Sequence, residues 1–137
     1  MKSVINSYLQ ELAQKVNLPL ALNEKGQCYL NHSSGLDCII EVPDNQSILF
    51  LYSPVMPLPT NYNKELLFQV LSLNLHQIIT HGTTLAIDPS THYFVLCFSK
   101  PIESLNFASF ENILGNFLET ASSIKTQLLE LMNTNLE

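Results

Sequence analysis

The sequence contains no arginine, and its six lysines, Lys2, Lys15, Lys25, Lys64, Lys100 and Lys125, are scattered along 137 residues. A nucleic-acid binder neutralises phosphates with clustered Lys and Arg, so that class is set aside. The same lack argues against docking on an anionic membrane surface. Charged residues are scarce altogether, at 13%, about half the usual share. No apolar run approaches the ~18 residues of a membrane-spanning helix. Residues 3–16 carry polar side chains at helical spacing, so no signal-peptide core is expected there. Glycine is rare, four in all, and none sits in a loop suited to cradling phosphate.

The reactive side chains are few and badly spaced for chemistry. Cys28, Cys38 and Cys97 are odd in number, lack metal-ligand spacing and lie among apolar residues. They read as small buried hydrophobes in a reducing cytoplasm. Cys28 and His32 are four apart near one strand, with Asp37 close by, but that spacing keeps a thiol and an imidazole beyond direct contact. His76 and His81 straddle a helix end, with His92 further on, and show none of the short Cys/His pairs of a zinc site. The acidic residues are dispersed, so no carboxylate pair can be nominated for acid–base work. The expectation is a protein with no catalytic, cofactor or metal site.

What is present is apolar surface. Hydrophobic residues make up 46% of the chain, the formal charge is −6 and the mean hydropathy is +0.14. A small chain of this kind hides apolar surface against another chain, so a homodimer is expected. A monomer with a Ser/Thr/Asn/Gln-rich exterior is the alternative. The length fits one domain, residues 1–137, burying roughly two thirds of its unfolded surface.

Val4, Ile5, Tyr8, Leu9, Leu12 and Val16 form one helical stripe, capped by Ser3 and stopped at Asn17. Three strands follow: Gln27 to Asn31 after Gly26, Leu36 to Val42 after Gly35, and Ser47 to Ser53 after Pro43-Asp44-Asn45. Tight turns make them an antiparallel meander. The stretch Ser53 to Asn63 holds Pro54, Pro57 and Pro59 and is read as a loop, neither helix nor inner strand. A second helix near Asn63 to Leu75, strands at Gly82 to Asp88 and His92 to Phe98, and a third helix from about Asn106 to Met132 complete the chain. The fold class is α+β: helix, three strands, helix, two strands, helix, with an antiparallel twisted sheet flanked by helices.

Two strands are apolar on both faces. Ile48, Phe50 and Tyr52 oppose Leu49 and Leu51; Tyr93, Val95 and Cys97 oppose Phe94, Leu96 and Phe98. Three helices can cover one side of such a sheet, which leaves the other for a partner. Core and partner surface both fit Ile39, Leu49 and Leu51. With Tyr29 and the first helix, through Leu9, they could line a groove for an extended apolar segment.

The order of elements resembles the class I type III secretion chaperones, the Tir chaperone-like family. The likeness rests on the opening amphipathic helix, the Gly-rooted strand Gly26-Gln-Cys-Tyr-Leu30, the Pro-containing loop, the helix pattern Leu66-Leu67…Leu71…Asn74 and the Gly82-to-Asp88 strand. The resemblance implies a bacterial cytoplasmic homodimer without enzymatic activity or cofactor. It would bind the N-terminal segment of a secreted effector in extended form, with no nucleic acid and no membrane insertion. The dimer interface it implies uses the second helix and the next strand, with Leu67, Val70, Leu71, Leu85 and Ile87 as candidates. A dimeric ligand-binding or enzymatic α+β domain with a small-molecule pocket is the alternative. No apolar segment supplies the convergent polar residues such a pocket needs.

Overall fold

The computed structural model describes residues 1–31, 35–75 and 82–135. Helix α1 spans Lys2–Val16 and buries Ile5, Leu9 and Leu12, one side of the expected stripe. It ends at Asn17, whose φ of 55° is the left-handed conformation in which asparagine commonly stops a helix. Ser3 is not its cap. The helix begins two residues earlier, at Lys2, and the Met1 carbonyl accepts from the N–H groups of Val4 and Ile5.

The chain then reaches β1 (Gln27–Asn31), β2 (Asp37–Glu41) and β3 (Ile48–Pro57), paired in sequence as the turns imply. Gly26 makes the entry to β1 possible. Its φ is +75°, and a Cβ there would sit 2.4 Å from the Val42 carbonyl oxygen. That close approach lets the Gly26 carbonyl accept from the Val42 N–H at 2.8 Å, so β2 is tied down one residue beyond its end.

Strand β3 corrects the sequence reading. It runs through Pro54 to Pro57, where a loop was expected, and it is the middle strand of the sheet. The reason lies in its neighbours. Pairing with β2 covers only Phe50 to Tyr52, whereas pairing with β5 (Tyr93–Pro101) continues to Pro57 with an irregularity between Pro54 and Met56. Past Tyr52 the strand has one partner, so it is locally an edge, and edges and bulges tolerate proline. Buried Ser53 closes the step by donating from Oγ to the Asp37 carbonyl at 2.7 Å.

Helix α2 (Lys64–Leu73) starts at Asn63, whose side chain accepts from the Leu66 N–H. It crosses to β4 (Thr84–Asp88), which pairs antiparallel with β5. The sheet order is β1-β2-β3-β5-β4. A short 3-10 turn, Ile102–Ser104, precedes α3 (Phe107–Asn135). Asn106 Oδ1 accepts from the Ser109 N–H while Ser109 Oγ accepts from the Asn106 N–H, a reciprocal cap that sets its start.

The core lies on one side of the sheet. Cys38, Ile40, Leu49, Leu51, Phe94 and Leu96 are fully buried against the helices, which contribute Ile5, Leu9, Leu66, Phe110, Ile124 and Leu128 among others. Tyr8 joins α1 to α3, its ring 5.5 Å from that of Phe110 and its hydroxyl donating to the Leu105 carbonyl at 3.1 Å. Gly115 points away from this core, so its weak helix propensity leaves no gap in the packing.

Candidate partner-binding surface

The face of the sheet turned away from the helices has no cover among the described residues. Register fixes its members. Ile39 stands opposite both Tyr29 and Tyr52, Tyr52 opposite Cys97, and Phe50 opposite Glu41 and Ser99. Tyr29 is 62% exposed, while Ile39, Phe50, Tyr52, Val95 and Cys97 are half-buried. Ile39, Tyr52, Pro54, Val95 and Cys97, with Ala86, Ile87 and Asp88 of β4, line a hollow of about 290 Å³ in this face. It is a seat for an apolar side chain rather than a closed cavity.

One side of the hollow is held by polar contacts. Tyr29 donates from its hydroxyl to Gln27 Oε1 at 2.9 Å, and Gln27 Nε2 donates to Glu41 Oε1 at 2.6 Å. Burial, together with the neighbouring Glu41 carboxylate, pushes the Tyr52 phenol up. The rings of Phe50 and Tyr52 lie parallel with centroids 6.0 Å apart. The aromatic side chains of β1 and β3 are therefore held in place before a partner arrives.

The two edges of the sheet differ. On β1 the N–H and C=O of Gln27 are both held by Asn23, through its side-chain oxygen and its own N–H. Antiparallel alternation then turns the next outward groups, those of Tyr29 and Asn31, away from β2. On β4 the outward N–H and C=O of Leu85 are both taken by the Asn74 carboxamide, at 2.8 and 3.0 Å.

Of the residues proposed for a partner groove, the structure places Tyr29 and Ile39 on the outer face. It corrects the other three. Leu49, Leu51 and Leu9 have no exposed surface and belong to the core. A strand apolar on both faces does not say which face meets the helices, but its pairing does. Ile40 lies in the cleanly alternating β2 and stands opposite Leu51, so Leu51 is inside and Phe50 and Tyr52 are outside. That inference was open to sequence reasoning and was missed.

The dimer candidates divide in the same way. Val70 and Leu85 are buried within the chain, a correction to their placement at an interface, because α2 turns Leu66 and Val70 inward. Leu67 is half-buried, Leu71 is 64% exposed and Ile87 is 40% exposed. Sequence reasoning passed over Phe68, 69% exposed, and Leu75, 80% exposed, which share the outward side with Leu71. Helical spacing signals two stripes on α2 and does not say which one is core.

Nothing in the described residues assembles a reaction centre. Cys28 lies inside, on the helix-facing side, while Asp37 is exposed on the other; His32, His76 and His81 lie outside the described residues. Burial raises all three thiols, Cys38 to about 12, which suppresses thiolate chemistry. Among the described residues there is no cluster of His, Cys, Asp and Glu fit for a metal, and no helix long and apolar enough to cross a membrane.

Residues 7–125 match the family described as Tir chaperone protein (CesT). No curated protein sequence matches the chain. Solved structures do. The chain is similar to one in the ExsC–ExsE complex, at 22% identity and a TM-score of 0.79, covering 93% of this chain and 96% of that one. It is similar to one in the HopA1–SchA chaperone–effector complex, at 15% identity and a TM-score of 0.74, covering 91% and 95%. A third likeness is to the ExoU–SpcU complex from the type III secretion system of Pseudomonas aeruginosa, at 16% identity and a TM-score of 0.67, covering 93% and 96%. At these identities the likeness establishes the fold.

Proposed function

The chain belongs to the Tir chaperone protein (CesT) family, and from this we propose that it is a type III secretion chaperone, holding the N-terminal segment of a secreted effector in extended form. The observation that carries the reading is an apolar face beside a sheet edge, both without cover among the described residues. An extended segment adds to β1 through the outward backbone groups of Tyr29 and Asn31. Its alternate side chains then reach Tyr29 and Ile39 on one side and half-buried Leu22 and Leu30 on the other. Main-chain hydrogen bonds give affinity without demanding a particular sequence, which suits a client held unfolded. Ordering such a segment costs free energy, so the contact has to be extensive.

The chaperone works as one domain and as a homodimer in the bacterial cytoplasm, without catalysis, cofactor or nucleic acid. Phe68 and Leu71, outward on α2, and Leu75 just beyond its end are the side chains that a second copy covers. The −6 charge with no arginine keeps it off phosphate surfaces.

Co-expression with the N-terminal fragment of the secreted protein encoded beside it tests the reading. The expected result is a co-purifying complex in which the fragment remains soluble and protease-sensitive along its exposed parts. A folded chaperone that leaves such a fragment insoluble and unbound would overturn the assignment.

A further inference from the structure

We propose that Asn74 is a positioning residue that seals the β4 edge of the sheet against strand addition by a second copy of this chain. An unpaired edge strand is a template for another chain, and natural sheets blunt their edges with specific devices. On β4, alternation directs the N–H and C=O of Leu85 and Ile87 outward, away from β5. The Asn74 carboxamide, at the end of α2, pairs with Leu85 as a strand residue would, one donor to the carbonyl and one acceptor for the N–H. The Asp88 carbonyl is engaged by the His92 N–H at 2.8 Å in the turn to β5. Within β4, the outward pair of Ile87 is what remains without a partner among the described residues, and one residue does not hold a strand. At β1 the Asn23 clamp stops at Gln27, and the outward groups of Tyr29 and Asn31 have no partner among the described residues. Among the described residues the sheet is thus closed at one side and open at the other. Direction of the client to β1 is the part that rests on the chaperone reading; the seal itself does not.

The test is Asn74→Ala in the full chain. Hydrogen exchange at the Leu85 amide should accelerate at least tenfold, while the Ala86 amide, bonded into β5, changes little. The variant should also form concentration-dependent species larger than the parent by light scattering. Adding Ile87→Pro, which removes the remaining outward donor and leaves the β5 ladder untouched, should abolish the species larger than the parent. A residue that merely stabilised the helix end would speed exchange at both amides and would not be rescued by a proline. Should the alanine variant not fold, Asn74→Gln shifts the carboxamide off the strand while keeping its chemistry, and the same readouts apply. Equal exchange changes at Leu85 and Ala86, a parent-like size for the variant, or growth that Ile87→Pro fails to reverse would each overturn the proposal. None of these measurements involves a client, so failure to bind an effector fragment counts against the chaperone reading and leaves the seal standing.

Discussion

The two faces of the sheet are built from the same residue classes and meet opposite fates. On the inner face Leu49, Leu51, Phe94 and Leu96 lose all their exposure to three helices. On the outer face Phe50, Tyr52, Val95 and Cys97 touch chiefly one another and solvent. Fully burying a side chain of this size contributes about 1.5–3 kcal/mol, so the inner face accounts for folding and the outer face keeps the same kind of free energy in reserve for association. Apolar content alone does not distinguish a core from a docking surface. What distinguishes them is which side the helices reach.

The sharpest way to break this comparison is to place charge on each face in turn. Leu49→Asp with Leu51→Asp puts two unpaired carboxylates into a dry core, with an expected loss of about 5 kcal/mol or more, comparable with the whole stability of a small domain. Circular dichroism should show an unfolded or molten chain; native spectra would mean that this face is not the core. Tyr29→Asp with Ile39→Asp makes the equivalent change outside. The fold should survive with a loss of about 1 kcal/mol, as for surface sites, while capture of the effector fragment falls at least tenfold in a pull-down. Retained capture would move the docking surface elsewhere.

A third change probes the other exposed apolar group. Phe68→Asp with Leu71→Asp should convert a dimer into a monomer by light scattering with little change in helix content, because neither side chain is part of the core. A monomeric parent protein would refute the assembly at once.

The smallest effect compares a cysteine of each face. Buried Cys38 releases its proton only at about 12, whereas an unfolded-chain thiol does so near 8.5. Below that lower value both states are protonated and the contribution to stability is complete. As pH rises from roughly 9 toward 12 it is lost, with a limiting slope of about 1.4 kcal/mol per pH unit. Urea unfolding at pH 8 and pH 10 should show a flatter pH dependence for Cys38→Ala than for Cys97→Ala, since Cys97 is only partly buried. Equal slopes would contradict the difference in burial.

Much of the fold was legible because its signals are local. The α1 stripe with Asn17 as its stop, the glycine-rooted strands, the meander and the long α3 follow from short-range chemistry. The end of β3 did not, because Pro54 reads as a breaker until it is known that β2 stops short of it. The assignment of Leu49 and Leu51 failed for a related reason. Alternation separates two faces without naming them, and the name comes from a neighbouring strand with a polar side, here Asp37 and Glu41 on β2. Asn74 was visible as a helix end. Its role at Leu85 depends on a crossover that brings residues eleven apart into contact, which no periodicity reports.

The uneven length of the strand ladders has a consequence for motion. β3 and β5 are zipped from Ile48–Pro101 to Pro57–Tyr93, while β2 holds β3 only from Ile39–Tyr52 to Glu41–Phe50. The β1–β2 hairpin is therefore a leaf joined to a long spine by a short ladder, the Ser53–Asp37 hydrogen bond and the burial of Cys38 and Ile40, and on its outer margin local opening begins where the fewest bonds must break. That leaf is also the part that carries Tyr29 and Ile39. Amides there should exchange fastest in the free protein and slow the most when a client docks, so the chaperone stiffens at the margin it lends to its cargo while the spine stays as it was.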